Sequence, residues 1–305
     1  MARPGIGTSN EASQDPLEVY RQHRGLLFSI AYRMLGTVSD AEDMLQETFI
    51  RWQQTPFDQI QSPKALLVTI VTRLCLKHLQ SARVKREEYF GEWLPEPLLT
   101  SAESPSTSRI DGSISMAFLV LLERLNPIER AVFLLREIFE YEYSEIAAIL
   151  GQSDVNCRQI LRRAREHVKA IEPRFSPSPV EHERLLKEFL DASSRGDMEG
   201  LVSLLSNDVV FRSDGGGKGV AVPNSVSGVD HVRRLVVGAL RKLVPASRVN
   251  RFTEVNGALA IITYLEEKPF SVLTLDIFED RIRGIYIVSN PDKLTRIPSL
   301  TALPG

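Results

Sequence analysis

The chain has 305 residues, of which 43% are hydrophobic and 25% charged, and its formal net charge is −2. This is ordinary globular composition, and the length predicts two or three compact domains. The near-neutral charge gives no sign of nucleic-acid binding, although an average can hide opposed local charges. Two cysteines, Cys75 and Cys157, are too few for a disulfide framework and favour free thiols in a reducing cytoplasm. No run of eighteen apolar residues is present, so no membrane span is expected.

The N-terminal part of the chain is predicted to be a short tail followed by a helical domain. Residues 1–15 lack the apolar segment of a secretory signal and are predicted to be disordered, which favours a cytoplasmic protein. Residues 16–90 have helical periodicity almost throughout. The first helix is predicted to end at Gly36, since glycine adopts the left-handed conformation of a helix C-cap at little cost.

The second predicted helix, SDAEDMLQETFIRW at residues 39–52, is unusually acidic. It is predicted to begin at Ser39, with Glu42 completing a capping box. One face is predicted to pack inward through Ala41, Leu45, Thr48 and Trp52. Four residues lie on or beside the other face: Asp43, Gln46, Glu47 and Ile50. This segment alone leaves two interpretations open, a solvated acidic face or a docking surface for a basic partner.

A polar loop and a third helix complete this first domain. The loop runs from about Pro56 to Ser62, and Pro63 suits the first position of a helix. That helix begins apolar and becomes basic towards its end, through Arg73, Lys77, His78, Arg83, Lys85 and Arg86.

Residues 91–114 are rich in Pro, Ser and Gly and are predicted to be a linker. Within them, WLPEP at 93–97 is unusual, because a solvated linker gains nothing from Trp93 and Leu94. We expect this apolar segment to dock on a neighbouring domain; the alternative is chance exposure.

Residues 115–172 are again helical and contain a predicted helix-turn-helix at 144–167. Ser144 and Ser153 are the predicted N-caps of its two helices, and Gly151 forms the turn between them. Asn156, Arg158 and Gln159 lie early on the second helix, where such proteins contact base edges. Three further arginines suit phosphates: Arg162, Arg163 and Arg165. The alternative is an ordinary helical hairpin with a solvated basic face.

The C-terminal part has a different pattern. Residues 173–180 are a second predicted linker, residues 181–297 an α+β domain, and residues 298–305 a tail. In the α+β domain a short helical segment precedes strands rich in Val, Ile, Phe and Tyr. Asn256-Gly257 between two such strands predicts a tight hairpin turn, and we expect a helical cap on a curved antiparallel sheet.

Two segments together resemble a known family. LLFSIAYRMLGTVSDAEDMLQETFIRW is similar to region 2 of the bacterial RNA polymerase sigma factors of the extracytoplasmic function (ECF) group, and LNPIERAVFLLREIFEYEYSEIAAILGQSDVNCRQILRRARE to their region 4. The resemblance implies two all-α sigma domains and promoter-specific initiation of transcription with core RNA polymerase. It implies that Asp43, Gln46 and Glu47 contact the β′ clamp helices, and that the β flap is a further partner.

The resemblance also implies where promoter DNA is bound. Region 2 recognises and melts the −10 element, for which the matching residues are Phe57, Asp58 and Gln59 in the loop and Arg73, Lys77, Arg83, Lys85 and Arg86 on the basic helix. The family commonly has asparagine where this chain has Arg73. Region 4 reads the −35 element, which assigns to it Asn156, Arg158, Gln159, Arg162, Arg163 and Arg165.

Residues 181–297 resemble a SnoaL-like domain of the nuclear-transport-factor-2 (NTF2) fold, a helix-and-sheet cone with a pocket. DGGGK at 214–218, NPDKL at 290–294 and WLPEP are similar to ECF sigma factors with such a domain fused to them. The resemblance implies that the fused domain regulates the sigma domains in place of a separate anti-sigma protein. The expected contact residues are Trp93, Leu94, Pro95, Asp214, Gly215, Gly216, Gly217 and Lys218.

Other functions remain open from the residues alone. Asp214, Asp230 and His231 could serve as the base of a pocket enzyme, although a lone Asp or His is more often structural. A pocket could instead hold a small ligand without catalysis, and the whole chain could be a helix-turn-helix regulator that never joins polymerase. We expect no catalytic residues and no cofactor. We also expect no metal site, because the histidines are scattered and neither cysteine has a second ligand at zinc spacing.

Overall fold

The computed structural model describes residues 15–56, 60–87, 89–100, 114–168, 178–243 and 247–302, with backbone alone at 82–87, 239–243 and 302. In these segments no helix combines the length and the apolarity that crossing a bilayer requires. The predicted fold class, two helical sigma domains followed by an α+β cone, is confirmed.

The first domain is a bundle of α1 (Pro16–Leu35), α2 (Val38–Gln53) and α3 (Pro63–Glu87). Gly36 ends α1 with φ 76°, as predicted. The predicted N-cap at Ser39 is wrong, because the hydroxyl of Thr37 accepts the Asp40 N–H and α2 begins one residue before Ser39. Glu42 is not part of a capping box and instead forms an ion pair with Arg24 at 2.8 Å.

The second helical domain contains α4 (Met116–Leu122), α5 (Pro127–Phe133) with a π-helical turn after it (Leu134–Ile138), α6 (Tyr143–Leu150) and α7 (Asp154–Val168). The predicted N-cap at Ser144 is wrong: Glu142 occupies that position, and Glu142 and Glu145 bond each other's backbone N–H groups reciprocally. Gly151 makes the predicted left-handed turn, with φ 66°. One continuous apolar core joins this domain to the first bundle, so the two pack as a single body.

The C-terminal domain begins with two helices and continues into a sheet. Its elements are α8 (Pro179–Arg195), α9 (Met198–Leu204), β1 (Leu205–Asp214), β2 (Val226–Ser227), α10 (Val229–Leu243), β3 (Val249–Val255), β4 (Ala258–Leu265), β5 (Lys268–Phe278) and β6 (Arg281–Val288). The strand order is β2-β1-β6-β5-β4-β3. The prediction of an antiparallel sheet is wrong for one pair, because β1 pairs with β6 in parallel. No hairpin turn joins β1 to β6, because α10 and the strands β2 to β5 lie between them in the chain. β1 can therefore pair with β6 in parallel.

The two faces of this sheet have different neighbours. One face packs on α8, α9 and α10 and forms the core of the cone. The other face packs on the interdomain linker and α4, through Leu94 and Met116 against Val255, Tyr264 and Val288. Asn256 and Gly257, with φ 54° and 73°, form the predicted hairpin turn between β3 and β4. The sheet therefore separates the cone's interior from the sigma domains.

Candidate polymerase and nucleic-acid interface

The predicted polymerase-binding residues lie together on the solvent face of α2. Asp43 and Gln46 are exposed and Glu47 is half-exposed, with its carboxylate 2.8 Å from the Arg51 guanidinium. Ile50 extends the same stripe and is 48% exposed, so an apolar side chain stands beside the acidic groups. Sequence reasoning placed Ile50 near this face but assigned it no contact. A face of this kind suits a partner that presents basic groups around an apolar patch.

The helix-turn-helix presents its second helix, α7, in the expected orientation. Its inner face is buried through Cys157, Ile160, Leu161, Ala164 and Val168. The predicted base-reading and phosphate residues are on the outer face: Arg158, Gln159, Arg162, Arg163 and Arg165 are exposed and Asn156 is half-exposed. The guanidinium carbon of Arg158 lies 4.2 Å from the centroid of the Tyr143 ring. This cation–π contact holds the side chain near the start of α7.

One exposed residue of α7 was missed by sequence reasoning. Val155 is 66% exposed in the first turn, among the side chains expected to meet base edges. A small apolar group there suits contact with a thymine methyl. The position of Val155 in the first turn of α7, rather than its residue type, could have identified it from the sequence.

The predicted −10 residues are described only in part. Phe57, Asp58 and Gln59 lie outside the described residues, and so do the side chains of Arg83, Lys85 and Arg86. Lys77 is exposed on α3. Arg73 donates from Nε to the Ile149 carbonyl at 2.8 Å and from Nη2 to the Ala148 carbonyl at 3.1 Å, at the C-terminus of α6. A cation is favoured there, because the last carbonyls of a helix lack intrahelical donors.

The predicted interdomain residues meet around Asp214, which is fully buried. We call the linker residues 89–100 with Asp214, Asn290 and Lys293 the linker clamp. The carboxylate of Asp214 accepts from the Tyr89 hydroxyl at 2.5 Å, the Leu94 N–H at 2.9 Å and the Lys293 ammonium at 2.7 Å. A buried carboxylate is costly unless it is paired and hydrogen-bonded, and here both conditions hold.

Aromatic and ionic contacts extend the clamp. The Lys293 ammonium lies 4.0 Å from the centroid of Trp93, and it also donates to the Leu94 carbonyl. Trp93 itself packs on Gly36, where a Cβ would come within 2.5 Å of the indole ring. Burial and the bond to Asp214 raise the pKa of the Tyr89 hydroxyl, so it stays a protonated donor. Leu94 and Pro95 are buried.

The far end of the clamp contacts the first helical domain and the cone. The Glu96 carboxylate accepts the Val38 N–H at 2.8 Å, at the start of α2. The Tyr32 hydroxyl donates to the Glu96 carbonyl at 2.7 Å and accepts from the Asn256 amide at 2.7 Å. The linker then pairs with the edge of β3 through a bridge between Leu99 and Val255. Sequence reasoning missed Tyr32, Glu96 and Asn256 as contacts, because they are far apart in the chain.

The glycines after Asp214 form a tight turn against the clamp. Gly215 is buried, Gly216 has φ 57° and Gly217 has φ 72°. A Cβ at Gly216 would collide with the Asn290 amide, and one at Gly217 would contact Phe90 of the linker. Lys218 is exposed and pairs with Asp292 at 2.6 Å. This arrangement favours the interdomain interpretation of DGGGK over an anion-binding loop.

Comparison with known proteins agrees with this architecture. The model of Sigma-70 region 2 matches residues 19–84, and that of Sigma-70, region 4 matches residues 115–168. The ECF RNA polymerase sigma factor SigJ of Mycobacterium tuberculosis is 36% identical over 295 residues, 92% of this chain and 93% of that protein.

One further relative and one solved structure match over a similar extent. The probable ECF RNA polymerase sigma factor SigI of M. tuberculosis is 32% identical over 287 residues, 93% of this chain and 96% of that protein. The crystal structure of M. tuberculosis SigJ aligns with a TM-score of 0.75 at 32% identity, covering 92% of this chain and 98% of that one. The match includes the α+β domain as well as the two helical ones. The chain therefore belongs to the extracytoplasmic function RNA polymerase sigma factors.

Proposed function

We propose that the chain carries core RNA polymerase to promoters through two open surfaces, and that its C-terminal domain restrains it in cis. The stripe of Asp43, Gln46 and Glu47 on α2 is the polymerase-binding surface, since it is exposed and acidic on a rigid capped helix. The outer face of α7 reads the −35 element. The loop before α3 and the basic side of α3 act on the −10 element.

The observation that supports a closed arrangement of the two sigma domains is the bond between Arg73 and α6. It joins the helix proposed for the −10 element directly to the domain proposed for the −35 element. Elements with these names lie about 25 base pairs apart, which is roughly 85 Å of B-form duplex at about 34 Å per ten base pairs. Two domains that share one core cannot reach both elements at once. The closed structure must open before initiation.

The linker clamp sets how far the domains can separate. With residues 89–100 held on the cone and on α2, the tether between the sigma domains is the stretch from Thr100 to Ile114. About 14 residues extend to roughly 50 Å at most, which is short of the promoter spacing. Release of the clamp adds the rest of the linker, and about 26 residues extend to roughly 90 Å. Clamp release therefore lengthens the tether by about 40 Å and extends the reach between the two sigma domains.

Tethering also explains why contacts of ordinary strength suffice. A domain joined to its target by a short linker meets it at an effective concentration in the millimolar range. The fused domain therefore needs no high intrinsic affinity to hold the sigma domains closed.

Binding to core polymerase tests the docking surface. The double variant Asp43→Arg, Glu47→Arg should bind core polymerase at least about tenfold more weakly, because like charges replace opposite ones at the contact. The control is Glu183→Arg, Asp191→Arg on exposed positions of α8, which changes the net charge equally. Equal capture of both double variants would refute the proposed docking surface.

Run-off transcription tests the restraint. Asp214→Asn weakens the clamp without adding bulk, and it should raise transcription by the holoenzyme several-fold over wild type. The control is Asp280→Asn in the exposed turn between β5 and β6. If Asp214→Asn leaves transcription unchanged or lowers it, the C-terminal domain does not restrain the sigma domains through the clamp.

A further inference from the structure

The cone contains a cavity between the sheet and the helices α8 and α10. It is open to solvent at its mouth. Its walls are mostly apolar, including Phe189, Phe211, Leu235, Ile261, Leu273 and Ile285. The cavity is separate from the clamp, which lies across the sheet.

One charged side chain on the wall indicates what the cavity can hold. Arg248 lies on the wall close to Asn250 at the start of β3, and is half-exposed. Of the described lining residues it alone is charged at neutral pH.

The same lining does not provide acid–base chemistry. The described residues around the cavity include no Asp, Glu, His, Cys, Lys or Tyr. The three bases considered from the sequence lie elsewhere: Asp214 is bound in the clamp, and Asp230 and His231 are on α10 outside the lining and exposed to solvent. The wall can hold and orient a molecule, but it offers no group to move a proton.

We propose that this cavity binds a compact apolar molecule that carries one anionic group. The apolar body fills the space between the sheet and α10, and the anionic group pairs with the Arg248 guanidinium. A guanidinium suits carboxylate, sulfonate or phosphate, since its planar fork donates two parallel hydrogen bonds.

The cavity shares backbone with the linker clamp. Its wall includes the segment 220–222, which is tied to the sheet at two points. The Ser213 hydroxyl accepts the Val222 N–H at 2.9 Å, and the Ser289 hydroxyl donates to the Val220 carbonyl at 2.8 Å. Each serine directly precedes a clamp residue, Asp214 or Asn290, and neighbouring strand residues point to opposite faces. Occupancy of the cavity should therefore shift the clamp, a consequence that rests on the proposed restraint.

A fluorescent probe pair tests the site in the full-length chain. Anilinonaphthalene sulfonate has an apolar body and one anionic group, and N-phenylnaphthylamine is its uncharged parent. We expect one saturable site for the sulfonate. Arg248→Gln should raise its Kd about five- to tenfold and change the Kd of the uncharged probe less than about twofold. Arg251→Gln is the control, because Arg251 is exposed on β3, three residues further along the chain, and does not line the cavity. Absence of saturable binding, or equal sulfonate affinity in the two variants, would overturn the site.

The coupling has its own test, because linkage between two sites is reciprocal. Asp214→Asn should change the Kd of the sulfonate probe at least about threefold, and Asp280→Asn should leave it unchanged. If the two variants bind the probe equally, cavity and clamp are independent, although the binding site stands. Run-off transcription with the same variants reports on the clamp alone, so failure of the restraint is distinguishable from failure of the site.

Discussion

Helices α2 and α3 belong to one bundle and bury apolar faces in the same core, yet their polar faces have different surroundings. The stripe of α2 that includes Asp43 and Gln46 faces solvent. On α3, Arg73 is bonded to the end of α6. The surface proposed for polymerase is therefore open, while the surface proposed for the promoter is partly engaged within the chain.

This difference implies an order of events. Docking on polymerase needs no rearrangement of the chain, whereas simultaneous contact with both promoter elements requires the sigma domains to separate. Polymerase binding can favour the open form only if it binds that form more tightly than the closed one. The more stable the clamp and the Arg73 bonds are, the more tightly polymerase must bind the open form relative to the closed form.

The largest effect is expected from removing the buried cation of the clamp. Lys293→Met leaves the fully buried Asp214 carboxylate without its ionic partner, and loss of one partner of a buried pair costs about 3–5 kcal/mol. We expect the free energy of unfolding in urea to fall by about 3 kcal/mol, because three neutral donors to Asp214 remain, the Tyr89 hydroxyl and the Leu94 and Gly216 N–H groups.

The matched control is Lys218→Met, which breaks the exposed pair with Asp292. An exposed pair contributes about 0–1 kcal/mol, so this control should change stability little. Similar losses in the two variants would mean that the clamp pair contributes no more than a surface ion pair.

A smaller effect is expected where α3 meets α6. Arg73→Ala removes two hydrogen bonds to helix-end carbonyls, worth about 1–2 kcal/mol in this partly exposed setting. That corresponds to an opening equilibrium shifted roughly five- to thirtyfold, measurable by energy transfer between dyes on α2 and α7. Lys77→Ala, one turn further along and exposed, is the control. If dye separation is the same in both variants, the Arg73 bonds do not hold the domains together.

The smallest effect concerns pH and the linker end beside α2. Burial raises the pKa of Glu96 above its ordinary value of 4.5. The folded chain therefore binds this proton more tightly than the unfolded chain, so the stability contributed by Glu96 is full below pH 4.5 and decreases as pH rises through the raised pKa.

Glu96→Gln keeps an acceptor for the Val38 N–H and removes this titration. Relative to wild type, the variant should gain stability between pH 4.5 and 7, by less than about 1 kcal/mol. Urea unfolding across that range measures it, with the exposed Glu183→Gln as control. If the stability of wild type and of the Glu96 variant has the same pH dependence, folding does not raise the pKa of Glu96.

Local features of the fold could be predicted from the sequence because their causes are local. Gly36 and Gly151 end helices, Pro63 begins one, and Asn256-Gly257 makes a hairpin, each through the backbone preference of the residue itself. The errors at Ser39 and Ser144 are also local. Both are serines inside the first turn, and Thr37 and Glu142 occupy the cap positions.

The clamp was only partly predictable. WLPEP marked Trp93 and Leu94 as expected contacts, because apolar residues in a linker need a partner, and the family resemblance of DGGGK marked Asp214. Nothing in the pattern singled out Tyr89 or Glu96, since a tyrosine and a glutamate in a polar linker are unremarkable until their partners are known. The parallel pairing of β1 with β6 was missed for a similar reason, because the residue pattern of a strand does not identify the strand that will lie beside it.

The helices, their exposed and buried faces and the hairpin turn could be predicted from the sequence, because they follow from periodicity, caps and residue chemistry over short spans, and the family was predicted from the resemblance of two segments. That the two sigma domains lie closed against each other and that Asp214 holds the linker became known only from the packed chain. The linker and C-terminal partners of the Asp214 carboxylate are 79 to 125 residues away along the chain, and such pairings depend on how whole domains pack. The same holds for Arg73. Its positive charge could be predicted from the sequence, but its partners, the Ala148 and Ile149 carbonyls at the end of α6, are 75 and 76 residues away.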